Sequence, residues 1–222
     1  SALERAGKCV ELVYTEDIDQ STATELTSTL SVEVAVSDLE EFRLGLIGEQ
    51  SPWLVSAVED ADRLTSSLGP RLVQVDMETV LEEIEVVPES RGREVAESLE
   101  TSVEMVEPDQ ADLVEAARVY LGLNRIAAEY DLDAITVGCF ELLPEIGNTA
   151  CLGLARLIDD GLVAGCEGDV QATMSMELLH RLTAGPVWMA NTVAPDAEEN
   201  ELTFAHCTIA TNMLADPPVL RS

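Results

Sequence analysis

Residues 42–49, Phe-Arg-Leu-Gly-Leu-Ile-Gly-Glu, form a short apolar run closed by glycine, and a longer amphipathic segment follows at once. A run of that length and content reads as a buried strand. In the segment after it, Ser51 can cap a helix, Pro52 can take the first helical position and Gly69 can close it. Residues 71–77 repeat the strand signal, and residues 77–87 give a short helix that stops before Pro88. Strand, helix, strand, helix is the unit of a parallel sheet, since parallel neighbours need a crossover between them.

The same alternation resumes further on. Residues 132–140 and 162–167 read as strands, and 148–161 and 169–185 as the helices that follow them. Between the two blocks lie a charged helical stretch, 89–107, and a helix opened by Pro108 and Asp109. In the latter, Leu113, Ala116, Ala117, Tyr120, Leu123, Ile126 and Ala127 recur at helical spacing. Residues 186–193 and 201–210 read as two more strands. "KCVELVYT" near the N-terminus admits a strand, and "SVEVAVSDLEEF" a strand or a helix edge. The fold class is therefore α/β, built of parallel-sheet βα units in two sub-domains. Residues 1–40 are the end of a preceding domain or a linker, 41–130 an α/β sub-domain with a long helical pair, and 131–222 a second α/β sub-domain. The opening "SALERAG" reads as mid-helix and the closing "ADPPVLRS" as a connection, as in a fragment.

Charge narrows the partners. Of 222 residues, 43 are acidic and 12 basic, giving a net charge of −31, and Lys8 is the sole lysine. Such a surface repels nucleic acid and anionic membranes. It suits a salt-adapted organism, where screening weakens the self-repulsion, with binding of a specific cation as the alternative. No apolar run approaches membrane-spanning length. Cys9, Cys139, Cys151, Cys166 and Cys207 are scattered, odd in number and without a Cys-x-x-Cys pair. They read as reduced, partly buried thiols of a cytoplasmic protein.

Ligands of open α/β sheets collect beyond the carboxyl ends of the strands. One strand runs there into Glu141 and Glu145, a second into Glu167 and Asp169, and the last into His206. Acids and a histidine from separate strand ends suit an oxygen-preferring divalent cation such as Mn²⁺ or Mg²⁺. Cys139 and Cys207 close by would favour zinc, but their apolar flanks argue for packing instead. Each has a plainer reading. Asp169 can be the N-cap of the next helix, Glu167 a solvated acid or a helix-dipole partner, Glu141 and Glu145 loop acids, and His206 a hydrogen-bonded strand residue. His180, late in a helix beside Arg181, fits the helix dipole and carries no catalytic role.

Three phrases add a resemblance: "LGLIGEQSPWLVS" at 44–56, the long segment from Ile135 to Pro186 with "CEGD" before a methionine-bearing helix, and "FAHC" at 204–207. In order and spacing they resemble the L-fucose isomerase-like family, relatives of L-fucose and L-arabinose isomerases, over about residues 40–210. The resemblance implies a multi-domain, oligomeric enzyme, an intramolecular oxidoreductase that interconverts aldoses and ketoses through an ene-diol. A divalent ion, usually Mn²⁺, would hold the sugar's first two oxygens while a carboxylate moves the proton. It puts the family's metal-binding aspartate on Asp169, its other carboxylate near Glu145 or Glu141, with Glu145 favoured as ligand or base, and its histidine on His206. Against the family's pattern, an N-terminal α/β domain and a last β-rich region are missing here, and Asn191 stands where relatives often carry aspartate. The rival readings are a non-catalytic sugar-binding module and an assembly module of the same fold.

Overall fold

The computed structural model describes residues 19–55, 61–103 and 105–220. Four strands form its central sheet: β1 (Arg43–Ile47), β2 (Arg71–Val75), β4 (Ala134–Val137) and β5 (Val163–Cys166). Their order is β2-β1-β4-β5 and every pairing is parallel. All residues of β4 and β5 are buried, which requires a covered sheet on both faces. The expected α/β class with parallel βα units is what the chain adopts. The boundary expected near residue 130 falls just before β4, and β4 pairs with β1, so strands from both sides of it share one sheet.

Helices α3 (Met77–Val86), α4 (Glu89–Ser102), α5 (Gln110–Glu129) and α7 (Cys151–Asp159) pack in a row through α5. Asp109 caps α5, its Oδ1 accepting from the Ala111 and Asp112 amides at 2.8 and 3.0 Å. The apolar stripe of α5 buries Leu113, Ala116, Ala117, Leu123, Ile126 and Ala127, as its spacing requires. Helix α8 (Val170–Thr183) lies on β4 and β5 and is backed by α1 (Gln20–Ser37). Phe42, Leu44, Ile47, Ile135, Leu154 and Leu157 are among the fully buried side chains that join sheet and helices into one core.

Some local expectations change. "SVEVAV" lies inside α1, although valine at alternate positions reads as strand. Upstream hydroxyls accommodate the helix by bonding back one turn, Thr24 to the Gln20 carbonyl and Thr27 to the Ala23 carbonyl, both at 2.8 Å. No helix starts at Pro52. Residues 52–55 form a turn, and α2 is described over Ala61–Leu68. The Ser51 amide is spent elsewhere, donating to the Glu167 carbonyl at 2.8 Å. The last two long strands are shorter than expected: β6 (Asn191–Asp196) and β7 (Glu201–Ala205) make an antiparallel hairpin. A two-residue parallel pair, β3 (Met105–Val106) with β8 (Val219–Leu220), completes the strands. "KCVELVYT", Lys8 and Cys9 lie outside the described residues. No described helix is long and apolar enough to cross a membrane.

Candidate active site

The strand order turns at β1: the chain goes from β1 to β2 on one side, then returns to place β4 on the other. That reversal opens a crevice at the carboxyl ends of β1 and β4, where ligands of such sheets bind. Three loops line it. Gly138 donates to the Ile47 carbonyl at 2.8 Å, Gly168 to the Val137 carbonyl at 3.0 Å, and Ser51 to the Glu167 carbonyl. The loops after β1, β4 and β5 are thus stitched to one another by backbone alone.

Glu141 reaches into this crevice from the 3₁₀ turn Cys139–Glu141, and its Oε1 accepts from the Glu49 amide at 2.6 Å. Glycine makes the approach possible: a Cβ on Gly48 would stand 2.6 Å from that oxygen, and one on Gly138 would stand 2.5 Å from it. Glu145 sits one turn further, exposed on the short helix α6 (Leu143–Ile146). Asp169 is the N-cap of α8. Its Oδ1 accepts from the Ala172 amide at 2.8 Å, and its other oxygen has no partner among the described residues.

Glu167, discounted from sequence, is the most constrained acid of the set. Its φ is +64°, a left-handed conformation that costs a non-glycine residue about 1 kcal/mol or more. The strained backbone turns its side chain into the crevice. There Oε2 accepts from the Trp53 indole Nε1 at 2.6 Å, and Oε1 lies 3.7 Å from His206 Nε2. The His206 side chain is nearly buried, and its Nδ1 is 3.0 Å from the buried Thr208 hydroxyl. Trp53 also meets Phe140 edge-on, with centroids 5.1 Å apart, and both rings remain half exposed. A half-exposed aromatic pair beside acids is a surface on which the C–H face of a sugar can rest.

Next to the acids lies a cluster of thiols drawn from four segments. Cys139 and Cys166 approach to 2.7 Å, and Cys207 and Cys151 to 3.0 Å. Cys139, Cys151 and Cys166 all lie within 4.8 Å of one another, as do Cys166, His206 and Cys207. Bonds from Cys139, then Cys166 and Cys207, pull the Cys151 thiol far below the ordinary thiol range. Cys139 is pushed up to about 12 and Cys207 to about 11, each chiefly by its bond to Cys151. Cys166 is pushed up as well, first by its bond to Cys139. A cavity of about 640 Å³ opens beside the cluster, lined in part by Cys151, Cys207, His206 and the apolar Leu113 and Leu152.

The fit to Mn²⁺ or Mg²⁺ is incomplete. Hard oxygen donors are present in Glu141, Glu167 and Asp169. Among the described residues, however, neither these acids with His206 nor the expected set of Asp169, Glu145 and His206 forms a three-ligand group within 4.8 Å. The donors that do gather are mainly thiols, which Mn²⁺ does not favour.

Comparison with known proteins fits this geometry to a family. The L-arabinose isomerase central domain model matches residues 55–185, more than half of the chain. The chain belongs to that family. Kinship with L-arabinose and L-fucose isomerases, expected from "CEGD" and "FAHC", holds at that level. Among curated relatives, the sulfoquinovose isomerase of Alkalicoccus urumqiensis is 29% identical over 192 residues, covering 86% of this chain and 43% of the relative. That of Priestia aryabhattai is 25% identical over 194 residues, covering 86% and 44%. A third, from Clostridium sp. (strain MSTE9), is 28% identical over 124 residues, 55% of this chain and 27% of its own. The chain spans less than half the length of these relatives.

Proposed function

We propose that this chain is the part of a sugar isomerase that handles the proton in aldose–ketose interconversion through an ene-diol. The arrangement that supports this reading is the Glu167–His206 pair at the sheet's switch point, 3.7 Å apart and flanked by the Trp53–Phe140 rings. Glu167 takes the proton from C2 of the aldose and returns it to C1, while His206 carries the proton that passes from the C2 hydroxyl to the C1 oxygen. Atoms balance, and no external oxidant enters. Glu141 and Asp169 face the sugar oxygens. Glu141 takes precedence over Glu145 in this scheme because its carboxylate is held at the crevice by the Glu49 amide, whereas Glu145 is exposed. A hard divalent ion, Mn²⁺ or Mg²⁺, belongs to the proposal only with donors from outside the described residues.

Sulfoquinovose, named in the relatives, is the first sugar to assay. The net charge of −31 opposes long-range capture of an anionic sugar, so neutral aldoses are screened alongside it, at low and high salt. The same proposal takes the complete protein as a cytoplasmic homo-oligomer of a salt-adapted organism, which light scattering across salt concentrations tests in part. The deciding experiment is exchange of substrate C–H hydrogen with solvent deuterium by the complete protein. Glu167→Gln should slow exchange about 10²–10⁴-fold, the range for a lost acid–base group, and Glu145→Gln should leave it near wild type. Undiminished exchange in Glu167→Gln sinks the assignment. One observation favours the non-catalytic sugar-binding reading: Asp169 already spends one oxygen on its own helix. Sugar binding without any exchange in the wild type would establish it.

A further inference from the structure

The thiol cluster has no part in the isomerisation just described, and its position calls for an account. Cys139 comes from the turn after β4, Cys151 from the first residue of α7, Cys166 from the end of β5, and Cys207 from the segment after β7. Ordinary packing would hold neutral sulfurs further apart than the separations seen in the two closest pairs. In a tetrahedral zinc site, Zn–S bonds of about 2.3 Å set the sulfurs about 3.8 Å apart. The spacings among Cys139, Cys151 and Cys166 bracket that value, from 2.7 Å for the closest pair to a limit of 4.8 Å, and Cys207 joins this triad through its 3.0 Å approach to Cys151. Further soft donor atoms are at hand, since Met189 Sδ accepts from the Cys166 amide at 3.1 Å.

We propose that Cys139, Cys151, Cys166 and Cys207 form a structural site for one zinc ion, separate from the acids of the crevice. Four thiolates are the donor set of a closed structural zinc site, and they exclude the hard ions that the carboxylates favour. The cavity beside Cys151 and Cys207 supplies the entry path. Cys207 is exposed, so the last ligand closes from the solvent side. His206 is the alternative fourth donor, its Nδ1 lying 3.9 Å from Cys207 Sγ, but that nitrogen is 3.0 Å from the Thr208 hydroxyl and Nε2 faces Glu167, so the cysteine next to it is the better placed ligand. The ion would bind the segment after β7 to the ends of β4 and β5. In that way it would hold His206 against Glu167 without touching either.

Zinc content after gel filtration tests this on the whole chain, with cobalt substitution as the spectroscopic readout. The expected result is one zinc per chain, thiolate-to-cobalt charge-transfer bands with tetrahedral d–d transitions, and four of the five thiols reacting only after chelation and denaturation. Loss of an outer-shell partner alone costs a metal site about 10–100-fold in affinity, so Cys207→Ser should lose at least about 100-fold. Asp169→Asn, Glu167→Gln and His206→Gln should keep the zinc. Cys207 is chosen because its exposure lets the variant fold. Four outcomes overturn the proposal: reduced wild type that retains no zinc; thiols missing after denaturation, which would mean disulfides instead; a Cys207→Ser variant that holds zinc as tightly as wild type; or zinc lost with Asp169→Asn while Cys207→Ser keeps it.

Discussion

The crevice rim and the β6–β7 hairpin are built on opposite terms. At the rim, each acid is positioned by something rigid: Glu141 by an amide and two glycines, Glu167 by a left-handed backbone, Asp169 by its own helix. Beneath them β4 and β5 are wholly buried. The hairpin exposes every residue of both strands, among them Val193, Leu202 and Phe204, and among the described residues pairs with no other strand. An isolated hairpin is marginal in water. The lesson is that the sheet preorganises the acids at its rim, while the hairpin exposes apolar side chains that contribute little to this unit's stability.

The largest effect sharpens that contrast. Leu157 is fully buried in α7 and belongs to the central core. Leu157→Ala should cost about 2–5 kcal/mol in denaturant unfolding, whereas Phe204→Ala in the hairpin should stay within about 0.5 kcal/mol, as surface changes do. Comparable losses at both positions would show that the hairpin packs in solution and would break the comparison.

A smaller effect separates anchoring from chemistry at Asp169. Asparagine caps a helix as well as aspartate does, while alanine forfeits about 1 kcal/mol. Asp169→Ala should therefore destabilise the chain by about 1 kcal/mol and Asp169→Asn by much less, measured by chemical denaturation. If Asp169→Asn nonetheless abolishes sugar turnover in the complete protein, the free oxygen serves the reaction while the bonded one serves the helix. Equal stability in both variants would mean that the Ala172 contact is idle.

The contrast also explains what could be read from the sequence. Largely buried parallel strands leave mostly apolar runs, so Leu44–Ile47, Ala134–Val137 and Val163–Cys166 were legible, as were the stripe and cap of α5. Assignment of the strands to sheets was not: nothing local tells β4 that its neighbour is β1. The first helix after β1 ends at Gly69 as expected, but its start was misplaced because Ser51-Pro52 has the chemistry of a helix start, yet the Ser51 amide is drawn to Glu167. The cap of α8 was legible because an aspartate at a strand-to-helix junction has the chemistry of an N-cap. Glu167 went unvalued because one acid among 43 carries no signal by itself; the hint was the glycine after it, at a strand end that needs a tight turn. The thiol cluster was passed over because the apolar flanks of Cys139 and Cys207 read as packing rather than as zinc ligands. Its members lack local spacing, and only the parallel topology brings the four strand and helix ends together.

The smallest predicted effect asks how dry the packed side of the molecule is. Glu177 on α8 is buried, and burial is the leading reason its carboxyl is raised above the usual glutamate value, against the pull of Arg181. Arg181 Nε bonds Glu177 at 2.6 Å and also reaches Asp38 at 3.1 Å, with its guanidinium over the Phe42 ring. A carboxyl raised in the folded state binds its proton more tightly there than in the unfolded chain. Its contribution is therefore fully present below the ordinary glutamate value and is lost as pH rises through the raised one. Stability should accordingly fall across that mildly acidic window and then level off, as far as this group is concerned. Glu177→Gln, which cannot ionise, should remove that slope from the difference between the two proteins' unfolding free energies. A difference that stays flat with pH would mean that water reaches Glu177, and the packed face would then resemble the hairpin side more than its burial implies.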